Sequence, residues 1–207
     1  MSAFRAVLAK DLRTELRTLE SVPAMALFAA TTFVLFRFGL DRTTLEGALA
    51  AGVLLATVLF AAILAINRVF VAEREQGGFD VIRLSPVDGA SLYAAKVCVL
   101  AIYLGALELI AVPVFAVLFS VEAGGLPALA AMLLLANIGL AAVGALVSSI
   151  AVNSRARDLI APLLLLPLLA AGGPSYADFG QWMGILALYD LVFIAVGYAV
   201  YDFLLED

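Results

Sequence analysis

Along this chain, apolar runs alternate with short polar breaks, and most of the runs are long enough to cross a membrane. Six runs occupy residues 22–40, 48–71, 92–119, 128–152, 159–171 and 182–205. An α-helix needs roughly 20 residues to traverse the hydrocarbon of a bilayer. Backbone amides and carbonyls at that depth have no water to bond, so a spanning run must satisfy them within itself, as a helix does. The pattern therefore predicts an all-α, polytopic integral membrane protein with six transmembrane helices, forming a single transmembrane domain over residues 1–207.

The polar breaks refine this outline. Ser21 is expected to N-cap the first span, with Pro23 in the first turn, where its missing amide does no harm. Asp41-Arg42-Thr43-Thr44 ends that span, Glu122 to Pro127 ends the third, and Asn153 to Asp158 forms a tight turn after the fourth. The fifth run is short and carries Pro162 and Pro167, so a broken crossing competes with a re-entrant hairpin. A crossing is favoured, because it places Tyr176 and Trp182 as interfacial anchors on the outer surface.

Ahead of the spans, residues 3–19 have a helical period. Phe4, Leu8, Leu12, Leu16 and Leu19 gather on one side, opposite Lys10, Arg13 and Arg17. Such a helix is expected to lie in the interface, apolar side against the acyl boundary and basic side toward anionic headgroups. Its competing use is to dock on a partner protein. Charges interleave through the opening 20 residues without an apolar core, which argues against a cleaved secretory signal.

Composition agrees with the pattern. Apolar residues make up 65% of the 207 and charged residues 14%, too little polar material to cover a soluble core of this kind. The net charge of −5 says less than where the cations fall. Arg5, Lys10, Arg13, Arg17, Arg68, Arg74, Arg83, Lys96, Arg155 and Arg157 all fall on one side of the predicted topology, and Arg37 and Arg42 on the other. The positive-inside rule then puts both termini and the long segment after span two in the cytoplasm, with the chain in the cell (plasma or inner) membrane.

Histidine is absent and Cys98 is the one cysteine. That removes the usual imidazole base and the usual axial haem ligand, and it rules out a disulfide within the chain. No directly bound cofactor or metal is expected. Nor does the chain carry a G-x-x-x-x-G-K-[ST] phosphate loop, so any nucleotide must belong to another subunit. An enzyme is not expected, since no paired carboxylates or metal-ligand pattern sits within a span. A nucleic-acid partner is not expected either.

The segment over residues 73–91 holds the most information. It follows Phe70 and reads Glu73-Arg74-Glu75-Gln76-Gly77-Gly78-Phe79-Asp80, then Leu84-Ser85-Pro86. The glycine pair bends the chain, Phe79 to Leu84 can form one or two amphipathic turns, and Pro86 ends them. A short helix held across the cytoplasmic ends of two spans suits docking into a groove on a partner. A plain solvated loop is the other reading of the same residues.

These features, in this order, resemble the heme exporter protein B family, the permease-like subunit of the ABC-type cytochrome c maturation system. That family's motif after span two has the form F-x-x-D-x-x-D-G-S-L, followed by L-S-P and a lysine. Phe70, Glu73, Gln76, Gly77, Gly78 and Phe79 stand at its positions here, with Leu84, Ser85, Pro86 and Lys96 following. Gln76 loses one acid of the motif, Gly78 replaces its serine and Phe79 its leucine. Lys10 to Arg17 resembles the family's basic opening helix.

The resemblance implies a type-2 ABC exporter-like permease subunit that works with a cytoplasmic ATPase subunit, a haem-handling membrane subunit and a haem chaperone. It implies ATP in the partner and haem as a possible substrate of the complex. Phe70, Glu73, Gln76, Gly77, Gly78, Phe79, Asp80, Leu84, Ser85 and Pro86 become the candidate contacts to the ATPase. A homodimer or hetero-oligomer in contact with membrane lipid is the expected assembly. The rival readings are a type-2 ABC permease for a lipid, drug or glycan, and a membrane scaffold that transports nothing.

Three polar side chains fall inside spans, where each is costly and so points to function or to a specific pairing. They are Glu108, Asn137 and Asp190. Asn137 suits an interhelical hydrogen bond and Asp190 a local pair. Glu108, held neutral or paired, suits a group that reports on conformational change.

Overall fold

The computed structural model describes residues 3–41, 44–45, 47–75, 88–121, 124, 126–151 and 179–206. Among them there are six helices and no strand: α1 (Ala3–Thr18), α2 (Ser21–Gly39), α3 (Gly47–Glu75), α4 (Gly89–Phe119), α5 (Leu126–Ala151) and α6 (Phe179–Glu206). Five of these, α2 to α6, are long and apolar enough to cross a membrane. The proline-bearing run 159–171 lies outside the described residues.

The helix α4 is the axis of the bundle, in contact with each of the other five. Leu92, Lys96, Val99, Tyr103 and Leu107 form one buried stripe, and Tyr93, Leu100, Leu104, Ala111 and Phe115 broaden it. Spacings of three and four repeated in this way give a helix one broad covered face, while Ile102, Leu109, Ile110 and Val117 stay exposed on the other. Within a bilayer, hydrophobicity does not drive helices together, and close contact between small residues does much of the work. Accordingly Ala61, Ala62 and Ala65 on α3 and Ala141, Ala142 and Ala145 on α5 are fully buried. Gly144 of α5 leaves room for Ile66 of α3.

The start of α2 corrects one expectation. Ser21 is not the N-cap. That position belongs to Glu20, whose side chain caps nothing, while Ser21 is the first residue of the helix. The open amides are instead bonded from α1: Glu15 Oε1 accepts from the backbone N–H of Ser21 at 2.8 Å and of Val22 at 3.0 Å. Pro23, next in line, has no amide to satisfy. All the orphan donors of that first turn are thereby accounted for. Leu19 turns the corner between the two helices at φ 48°.

At the start of α4 the cap comes from its own chain. Asp88 accepts a hydrogen bond from the Ser91 amide at 2.9 Å. Hydrogen bonding from Ser91 holds the Asp88 carboxyl below its ordinary range.

Bonds between helices fix which ends lie together. Tyr93, near the start of α4, donates to Ala142 O of α5 at 3.2 Å and to Phe193 O of α6 at 3.3 Å. Its ring packs on Tyr198 and Tyr201 of α6 at centroid distances of 5.5 and 5.2 Å. The beginning of α4 therefore lies against the C-terminal halves of α5 and α6, and α5, whose Asn137 reaches Ala101 and Glu108 further along α4, runs antiparallel to it. At the same end Arg68 of α3 meets Glu20 at 3.3 Å, an exposed pair of small energetic weight.

Candidate functional site

The end of the bundle that holds the first turns of α4 also holds α1. Val7, Leu8 and Leu12 pack against the core, while Leu16 is 73% and Leu19 60% exposed. The apolar stripe expected from the sequence is thus divided between the bundle and its surroundings. What fastens α1 is polar. Lys96 of α4 and Asp11 of α1 form an ion pair at 2.8 Å, with side chains only 2% and 10% exposed. Tyr103, two turns further along α4, donates to the Asp11 backbone carbonyl at 3.2 Å. Glu15, one turn beyond Asp11, holds the start of α2 as described above. One face of α1 therefore links α2 and α4 through a carboxylate to each.

Sequence reasoning missed this arrangement, because it treated Lys96 as a flanking cytoplasmic charge. The available signal was its place in the heptad-like series Leu92, Lys96, Val99, Tyr103, which puts the lysine on the buried stripe. A charge at a core position requires a partner.

The segment 76–87 leaves α3 at Glu75 and enters α4 at Asp88, next to that same end. Gln76, Gly77, Gly78, Phe79, Asp80, Leu84, Ser85 and Pro86 lie outside the described residues. The backbone of Phe70 and Glu73 belongs to the last turns of α3, and their side chains lie outside the described ones.

The intramembrane polar groups fall into two places. Asn137 of α5 faces α4, where its Nδ2 donates to Ala101 O at 3.3 Å and to Glu108 Oε2 at 3.4 Å. Gly105 of α4 lies beside it, and a Cβ there would make ordinary contact with Nδ2 at 3.7 Å. Glu108 Oε1 and Asn137 Oδ1 are enclosed without any hydrogen-bond partner. Hence the structure brings Glu108 and Asn137 together, as the sequence did not specify. Asp190 stands apart on α6. It is 4% exposed, and both of its carboxyl oxygens lack a hydrogen-bond partner. The local pair expected for it is not formed among the described residues.

Hydroxyls at similar depth behave differently. Thr32 and Thr57 bond the carbonyls of Phe28 and Val53 on their own helices, at 2.8 and 2.7 Å. That back-bonding is always within reach of a threonine on a helix, but not of an aspartate.

Because neither oxygen of Asp190 has a donor to lose, Asp190→Asn is expected to fold. Its stability in detergent, read from the thermal midpoint, should be unchanged or raised by up to about 1–2 kcal/mol. A drop of several degrees would show that a donor holds the carboxyl.

No group of three or more potential metal ligands occurs among the described residues. The arrangement has the features of a membrane helix bundle with polar joints between its helices, one at the α1 end and one at mid-depth. Five helices of spanning length and composition make the chain a multi-pass membrane protein. Over 211 aligned residues it is 28% identical to heme exporter protein B of Bradyrhizobium diazoefficiens, which covers 95% of this chain and 94% of that protein. Residues 2–171 match the family described as CcmB protein, which takes in α1 to α5 and the segment between α3 and α4. With more than four-fifths of its length so matched, the chain belongs to the CcmB protein family.

Proposed function

We propose that this chain is the membrane-embedded, permease-like subunit of an ABC complex in cytochrome c maturation. In this reading it couples ATP hydrolysis in a separate cytoplasmic subunit to haem delivery or to release of a haem chaperone. The observation that carries the reading is membership of the CcmB family, together with similarity to a heme exporter protein B along nearly the whole of both chains. The chain itself is not an enzyme here. Haem and ATP are handled by partner subunits, and no cofactor is bound directly.

The membrane topology proposed has six spans in one domain, α1 in the cytoplasmic interface and both termini inside. Three observations support it. Arg68 and Lys96, two of the cations assigned to the inner side, meet Glu20 and Asp11 at one end of the bundle. The exposed Leu16 and Leu19 give α1 an apolar edge to set into lipid. Finally, the C-terminal half of α6 lies with that of α5 beside Tyr93 at the start of α4, which suits a crossing between them better than a hairpin.

The stroke of the ATPase is received by residues 73–91, with Phe70, Glu73, Gln76, Gly77, Gly78, Phe79, Asp80, Leu84, Ser85 and Pro86 as the contact. A segment held between the ends of α3 and α4 is well placed for this. Because α4 touches every other described helix, displacement of its start is passed to them as rigid-body movement. Two copies of the chain on two ATPase subunits make the simplest assembly.

The test is affinity purification of the tagged chain from native membranes. Phe79→Asp or Gly77→Pro is expected to reduce the co-purified ATPase by about tenfold or more, equivalent to about 1.4 kcal/mol of binding, and to abolish cytochrome c maturation. Unchanged recovery with unchanged maturation rejects the reading.

A further inference from the structure

At mid-depth between α4 and α5, two buried oxygens, Glu108 Oε1 and Asn137 Oδ1, have no hydrogen-bond donor. Asn137 has already committed its Nδ2 to Ala101 O and Glu108 Oε2, so it has little left to offer a second carboxylate oxygen. An ionised Glu108 would thus sit in the hydrocarbon zone with a single 3.4 Å bond from a neutral amide. A charge so poorly compensated is strongly disfavoured at that depth. A proton on Glu108 removes the charge and supplies the donor that the pair of oxygens lacks.

Among the described residues, no charged group forms a hydrogen bond or ion pair with Glu108. The helix α5, which faces Glu108, contains no ionisable residue from Leu126 to Ala151. On α4 the nearest ionisable groups are Tyr103 and Lys96, both engaged with Asp11 of α1, and the free thiol of Cys98. Arg37 stands in the last turn of α2, Arg68 meets Glu20 beside the start of α2, and Glu15 caps that helix. On α6 the titratable groups facing the core are Asp190, Tyr189 and Tyr201, and none of them is hydrogen-bonded to Glu108 among the described residues. Its one hydrogen bond among the described residues comes from Asn137.

We propose that Glu108 is a proton-binding site in the α4–α5 seam, with Asn137 as its positioning residue. The proton stays while the seam is closed on hydrocarbon. It leaves when α4 and α5 part far enough for water to reach the carboxylate. Protonation and helix packing are thereby linked, each biasing the other by the same free energy. The inference rests on the packing of α4 on α5 and stands whether or not an ATPase drives the movement.

Dicyclohexylcarbodiimide, which modifies protonated carboxyl groups in apolar surroundings, tests it on the full chain in lipid vesicles. Mass spectrometry of the digested protein should find the adduct on Glu108, with a yield that falls as the pH is raised. The adduct should vanish in Glu108→Gln. In Asn137→Leu the pH at which labelling is half-maximal should move, which a merely structural asparagine would not cause. Absence of the adduct from Glu108 at every pH, labelling confined to Asp190, or a yield that ignores pH each overturns the proposal. Should Glu108→Gln fail to fold, infrared spectra of the unaltered protein decide the matter. A protonated-carboxyl band that is lost on raising the pH and displaced in Asn137→Leu supports the site, and a spectrum without one overturns it.

Discussion

Lys96→Met is expected to be among the most damaging single substitutions outside the segment that joins α3 to α4. Methionine matches the lysine stem in length and fits the buried stripe of α4, so the change removes charge with little loss of volume. Asp11 is left facing the bundle without the ammonium that stood 2.8 Å away. Breaking a buried pair on one side costs about 3–5 kcal/mol. Lys10, 3.6 Å from Asp11 on the exposed side, keeps the loss toward the lower end of that range. A fall in thermal midpoint on the order of 10 °C follows for a chain of this size. Adding Asp11→Leu should restore most of it, because two apolar groups in place of a buried pair are often neutral or stabilising. If Lys96→Met alone shifts stability by less than about 1 kcal/mol, the pair is exposed to water and the docking of α1 rests on its leucines.

The second large effect is expected at Gly197. A Cβ at this position would run into the ring and hydroxyl of Tyr93. That ring has nowhere to go: it is held by two carbonyls and by the rings of Tyr198 and Tyr201. Gly197→Ala should therefore lose about 1–3 kcal/mol to overpacking, and Gly197→Val should prevent the α4–α6 contact from forming. The comparison is Gly184→Ala on the same helix, where an added Cβ meets nothing. There the better helix propensity of alanine leaves stability unchanged or slightly raised. In a Tyr93→Ala background the Gly197→Ala penalty should disappear, a coupling that thermal unfolding of the four proteins measures directly. Gly144→Ala is milder, because the obstacle there is the mobile end of Ile66.

Much of the helical architecture was open to reading from the chain itself. The apolar runs of α2 to α6 are long and nearly free of charge, and at that depth a helix is the one local solution to backbone hydrogen bonding. The cap of α2 was misread for an equally physical reason. Ser21 before Pro23 has the residue types of a self-contained helix start, yet Glu15 reaches the same amides from another helix. Local signals cannot register a partner supplied by tertiary packing. Lys96 failed in the same way, as a charge near a span boundary that folds inward only because Asp11 is there to meet it. Glu108, Asn137 and Asp190 were recognised as costly, but their spacing of 29 residues between the first two carried no indication that they would be paired. That pairing depends on how α4 packs against α5, which brings Ala101 and Glu108 of one helix to Asn137 of the other.

The order in which the chain is made gives the α1 contact one more meaning. Asp11 and its partner Lys96 are separated by 85 positions. At a synthesis rate of roughly 5–20 residues per second, on the order of ten seconds pass between the appearance of the first and that of the second. Throughout that interval Asp11 is without the ammonium it meets in the finished bundle, and α1 is fastened only through Glu15 to the start of α2. The docking of α1 on α4 is thus timed by the arrival of α4 and not by the synthesis of α1 itself.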